Sequence, residues 1–131
     1  MNANTQHDIG KLLLRVTLGV LVLLHGLAKL NGGMAGIVRM VEARGFPGAL
    51  GYGVLLGEVA GPLMLIAGFH ARIGGALVFV NMLFAIVLVH LGQLGSFNSQ
   101  GGWALELQAM YLVGGLAVAL LGPGRFSVNE R

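Results

Sequence analysis

The chain contains no cysteine. That excludes disulfides, thiolate metal centres and a cysteine nucleophile. Charge is also scarce. Only 10% of the 131 residues are Asp, Glu, Lys or Arg, against about a quarter in soluble domains. Too few polar groups remain to cover a water-facing surface. There are three prolines, and the 23 glycines have no triplet period. Collagen and a proline-rich disordered chain are therefore excluded. No phosphate-cradling glycine loop, zinc signature or hydrolase elbow occurs. What is abundant is apolar: 56% of residues are hydrophobic and the mean hydropathy is +0.83. The length allows one domain, residues 1–131. The formal charge of +3 is read as topology and contact with anionic lipid, not nucleic-acid binding.

A membrane-spanning helix needs about 20 mostly apolar residues. Four segments qualify, at about 12–30, 48–69, 73–94 and 103–122. His70-Ala71-Arg72 joins the second and third as a tight hairpin turn. A polar, glycine-rich loop at 95–102 joins the third and fourth. Between the first two, Met34, Ile37, Val38 and Val41 recur at helical spacing, and Gly45-Phe46-Pro47 ends the run. The expected fold is all-α and membrane-integral: a four-transmembrane-helix bundle with a short amphipathic helix, about 34–44, between the first and second spans. That helix lies in the interface or packs on the bundle. No small-residue cleavage site follows the first span, so it is expected to be retained. Lys11, Arg15, Arg72, Arg125 and Arg131 fall on one side, and Lys29, Arg39 and Arg44 on the other. The positive-inside rule then puts both termini in the cytoplasm.

Ionisable groups inside spans are expensive, and each is a functional candidate. They are Arg15, His25, Lys29, Glu58, His90 and Glu106. Depth counted along the helices puts all but Arg15 in one half of the membrane. His25 and Lys29 share a helix face, and Arg15 falls within about 40° of Lys29 on the same stripe. His25, Lys29, Glu58 and Glu106 are expected to line one polar cavity, with His90 near its rim. Glu106 is expected to pair with Lys29 or His25, leaving Glu58 deeper and either protonated or charge-paired. The blander readings are snorkelling for Arg15 and Lys29, and interhelical hydrogen bonds for the histidines. Gly53, Gly57 and Gly61 form a small-residue stripe that suits close helix packing. Pro62 deprives the Glu58 carbonyl of its helical partner. Asn81 is read as bonding a neighbouring helix, Trp103 as an interface anchor or ligand stacker, and Tyr111 as packing.

At these residues the chain resembles the DoxX family of small bacterial membrane proteins. The matching pieces are Leu13-Leu14-Arg15-Val16-x-Leu18-Gly19, His25-Gly26-x-x-Lys29-Leu30, the mid-span Glu58, Glu106 opening the last span, and Gly122-Pro123-Gly124-Arg125-Phe126-Ser127. The match runs in order over nearly the whole chain. It departs near Val128-Asn129, where such proteins often carry an acid. The resemblance implies a four-helix protein of the bacterial inner membrane. It also points toward quinone-linked redox complexes, in whose company the family takes its name.

Two classes of function follow. The first is a quinone-linked or redox-associated membrane subunit. Glu58, His25 and Glu106 would form its proton relay, and Lys29, Arg15 and Trp103 would be binding candidates. The second is a non-catalytic binding or assembly protein, or a haem or metal carrier using His25 and His90, with Glu106 as a third metal ligand. Whether a reaction is catalysed stays open. The expected partners are the lipid bilayer and either further copies in a homo-oligomer or a membrane redox protein.

Overall fold

The computed structural model describes residues 2–129, without the side chains of Val89 and His90. It is all-helical. Helix α1 spans Ala3–Gly32. It starts well before residue 12 because Asn2 caps it: the Asn2 side chain accepts from the Thr5 N–H at 2.8 Å. Gly33, at φ 84°, ends it. Helix α2 spans Ala35–Ala43. Val41 on it is fully buried, and Val38 lies against Gly48 and Gly51. Helix α2 therefore packs on the start of the next span.

Helix α3 covers Gly48–Ala67 and changes pitch along its length. It opens as a 3-10 helix at Gly48–Gly53, widens to a π turn at Leu56–Ala60, and closes as α-helix at Gly61–Ala67. Pro62 cannot donate a backbone hydrogen bond, so the ladder before it must shift register. The Gly61 N–H reaches the Leu56 carbonyl instead. Glu58 sits in the middle of that π turn, a feature that often accompanies functional sites. Gly68, at φ 71°, stops the helix, and the N–H groups of Gly68 and Phe69 both bond the Met64 carbonyl.

Helix α4 runs Ala71–Leu88; its α-helical part ends at Ala85 and a π turn follows at Ile86–His90. Helix α5 spans Glu106–Leu121. It begins later than the expected 103. Trp103 Nε1 donates to the Leu94 carbonyl at 2.8 Å, and the Ala104 N–H donates to the Ser96 carbonyl at 3.0 Å. These bonds hold 103–105 in the loop. Among the described residues, α1, α3 and α4 are long and apolar enough to cross a membrane; α5 is apolar but has 16 residues.

Glycines set the helix contacts. A β-carbon at Gly26 would overlap the Glu58 carbonyl oxygen, and one at Gly19 would come 2.9 Å from the Pro62 carbonyl oxygen. Helices α1 and α3 therefore touch backbone to backbone. Gly61 and Gly74 play the same part between α3 and α4, and Gly75 and Gly115 between α4 and α5. Gly53, the remaining member of the expected stripe, faces open space. Val22, Leu65, Val78 and Val118 fill the centre of the bundle.

Arg15 does not snorkel. It is 1% exposed. Its guanidinium donates to the carbonyls of Pro123 (3.1 Å), Leu65 (2.8 Å), Ile66 (3.1 Å) and Phe126. Leu65 and Ile66 lie in the last turn of α3, where helix carbonyls lack partners and the dipole is negative. The tail 122–129 folds back over this end. The Val128 and Asn129 N–H groups donate to the carbonyls of Ala67 and Gly68, and Asn129 Oδ1 accepts from the His70 N–H. Arg72 caps α5 through the Ala119 and Leu120 carbonyls. The Gly-Pro-Gly-Arg-Phe-Ser motif is thus the strap that closes the bundle around Arg15.

Candidate functional site

At the opposite end of α1, a cavity of about 190 Å3 lies between α1, α2, α3, α4 and α5. Its wall is mostly apolar, with Val22, Val54, Met82, Phe84, Leu88 and Leu107. Helix α2 contributes Ile37 and Met40. The polar groups on the wall are His25, Lys29, Glu58, Asn81, Gln108 and Tyr111.

Lys29 and Glu58 form a direct ion pair. Glu58 comes from the π turn and is 4% exposed, while the Lys29 side chain is 34% exposed. The pair thus has one end sealed in the bundle and one end near its edge. The close approach that Gly26 permits between α1 and α3 brings the two side chains together. His25 lies one turn before Lys29. Its Nδ1 is 2.9 Å from the Leu21 carbonyl. A carbonyl only accepts, so Nδ1 carries the proton and Nε2 is the acceptor of the neutral ring. The ring meets Tyr111 edge-on at 5.6 Å between centroids.

Two buried side-chain polar atoms have no partner among the described residues. They are Asn81 Nδ2 and Gln108 Oε1, both buried on this wall. Asn81 is 7% exposed. It does not bond a neighbouring helix, contrary to the expectation. Gly57 explains its placement. A β-carbon there would overlap the Asn81 side chain, so the amide packs on bare backbone and turns along the wall. Asn81, Gln108 and Tyr111 were not expected at the site. The legible cue was Asn81 itself, an uncharged amide deep in an apolar run.

Glu106 is not on the cavity wall. It pairs with neither Lys29 nor His25. Its carboxylate accepts from Asn98 Nδ2 at 2.9 Å, in the exposed loop before α5. The loop folds back at the Phe97–Trp103 bridge and brings Asn98 to it. Trp103 is bound into the same loop through Leu94 and does not reach the cavity. Arg15 is held at the other end of the bundle. The His90 side chain lies outside the described residues, as does Arg131. Among the described residues no three potential metal ligands converge.

The DoxX family profile matches residues 10–91. A Bacillus subtilis (strain 168) protein, CatD, named as a provisional oxidoreductase, is 31% identical over 109 residues, which is 83% of this chain and 81% of the relative. The inner membrane protein YqjF of Escherichia coli (strain K12) is 29% identical over 124 residues, covering 94% and 92% of the two chains. No solved structure matches.

Proposed function

The chain belongs to the DoxX family, and we propose that it is a bacterial inner-membrane subunit that binds a quinone-class ring beside the Lys29–Glu58 pair. One observation carries this reading. An apolar cavity holds a buried donor, Asn81 Nδ2, and a buried acceptor, Gln108 Oε1, with nothing to bond. Each bare polar atom costs about 1–3 kcal/mol. A ring with carbonyl oxygens, which become hydroxyls on reduction, answers both. A cavity of about 150 Å3 holds benzene, so about 190 Å3 suits a ring head group. When bound, such a ring supplies two-electron, two-proton redox chemistry.

The roles within the chain follow from position. Asn81 donates to a ring oxygen, and Gln108 accepts from a ring hydroxyl. Lys29 and Glu58 share a proton at the wall and can pass it inward. His25 Nε2 is the acceptor that connects this pair to the open side. Electrons are exchanged with a membrane redox partner. In this reading α5 is a fourth pass, and both termini are cytoplasmic. The names of the two relatives, one an oxidoreductase and one an inner membrane protein, support it.

The test is extraction. The chain is purified in detergent from bacterial membranes, and its organic extract is assayed for quinone by absorbance. About one quinone per chain is expected, falling several-fold in Glu58→Gln. An extract no richer in quinone than that of an unrelated membrane protein would overturn the reading.

A further inference from the structure

A second apolar recess adjoins the cavity. It is a groove of about 220 Å3 between α3 and α4, lined by Leu50, Gly53, Leu56, Gly57, Leu77 and Val80. It shares Val54, Asn81 and Phe84 with the cavity wall. Its rim is open: Leu50, Leu56 and Val80 are each about half-exposed. On a membrane-embedded bundle these side chains face lipid. Asn81 stands on the shared wall, nine-tenths buried, with Nδ2 unpartnered. Gly57 fixes it there, because any side chain at that position would displace the amide. Gly53, one turn earlier, has nothing within 4 Å of its β-carbon position, so the groove floor is clear.

We infer that the groove is the tail subsite of an amphiphilic ligand whose ring occupies the cavity, an assignment that rests on the reading of that cavity given above. The occupant is an aliphatic or isoprenoid tail attached to the ring. Three observations support this. The groove adjoins the cavity along three shared residues. Apart from Asn81, its lining is apolar, so it offers nothing to a polar ligand. The cavity has room for a ring and leaves a tail to be placed elsewhere. Asn81 then stands at the neck, where head group becomes tail, and its amide reads the ring oxygen nearest the tail. The ligand enters sideways from the bilayer between α3 and α4, not from the water phase. Gly53 and Gly57 are needed for different reasons: Gly53 keeps the path open, and Gly57 positions the amide.

The experiment measures binding of two probes to the purified chain in detergent micelles by titration calorimetry. One probe is a methylated 1,4-benzoquinone without a tail. The other is the same ring carrying an isoprenoid tail of several units. Gly53→Leu starts its side chain where no neighbour stands within 4 Å and extends it into the groove, so its Tm should stay close to wild type. It should weaken the tailed probe about 10-fold or more, as overpacking of a filled site does, and leave the tail-free probe unchanged. Asn81→Leu should weaken both probes about 5-fold, the effect of one lost hydrogen bond. Equal binding of the tailed probe to wild type and Gly53→Leu overturns the tail subsite while leaving the ring cavity standing. Equal weakening of both probes by Gly53→Leu also overturns it, because the change then acts through the cavity. Loss of a retained phospholipid in Gly53→Leu, with ring binding unaltered, assigns the groove to lipid and overturns the inference. Binding of neither probe to wild type overturns both the subsite and the quinone reading.

Discussion

Lys29→Met keeps the aliphatic stem of the side chain and deletes its charge. Glu58 is then left on the cavity wall without a cation. At contact distance, opposite charges interact by about 4 kcal/mol at an effective dielectric near 20. Desolvation of the Glu58 carboxylate takes back part of that, so the net value of the pair is smaller. The cost of breaking it depends on which partner is stranded. Lys29, with its side chain 34% exposed, can turn its ammonium outward when Glu58 is lost. Glu58, with its side chain 5% exposed, has no such escape. Lys29→Met should therefore cost about 3 kcal/mol, and Glu58→Gln about 1 kcal/mol. The double variant removes both charges and should recover to within about 1 kcal/mol of wild type. Thermal unfolding in detergent, followed by circular dichroism, reads these differences. For a chain of this size 1 kcal/mol corresponds to about 4 °C, so Lys29→Met should fall by about 12 °C. Glu106→Gln is the control and should change little, because Glu106 bonds Asn98 in the exposed loop. A double variant that loses the sum of the two single losses would refute the coupling.

Two further predictions concern the rest of the bundle. Arg15→Lys keeps the charge but cannot reach carbonyls on α3 and on the tail at once. It should cost about 3 kcal/mol, and trypsin should cut after Arg125 faster than in wild type; an unchanged cutting rate would mean that the strap does not depend on Arg15. For topology, a fluorescent reporter fused after Arg131 should be active in the cytoplasm and a phosphatase inserted at 95–102 should be active in the periplasm; the reverse pattern would invert the assignment and every side that depends on it.

Much of the site could be read from residue types and depth. His25 and Lys29 share a face because they are four apart, and Glu58 lies at a depth that Lys29 can reach. The choice of partner could not be read. Glu106 and Glu58 are both acids within reach of Lys29 by depth alone. Two local events decide between them. Gly26 lets α3 approach α1 until the Glu58 carbonyl touches bare backbone, and the loop before α5 closes on Trp103 and brings Asn98 to Glu106. The first depends on residues 32 apart in the chain, and the second on a loop closure over eight or nine residues that no helical period announces. Asn81 was misplaced for a related reason. A bond to a neighbouring helix is the ordinary use of a buried amide, whereas the close contact at Gly57 sets its direction. The tail was recognisable as a motif, but its role in receiving Arg15 required the end of α3 to be in place.

The one cationic stripe of α1 thus separates into two functions by what each end of the helix meets. Arg15 and Lys29 are fourteen residues apart, about 21 Å along the axis. At the Arg15 end, the chain offers carbonyls left over by a terminating helix and a folded-back tail, which accept hydrogen bonds but carry no formal charge. Such a cradle fixes a guanidinium and gives it no proton to exchange, since arginine does not deprotonate in proteins. At the Lys29 end, the π turn presents a carboxylate, and a proton can pass between an ammonium and a carboxylate. The apolar cavity opens at this end, with unpartnered amide atoms on the same wall as the pair. On α1, Arg15 therefore serves closure and Lys29 stands at the cavity. This division explains why the site and the strap can sit on a single helix without competing for the same groups.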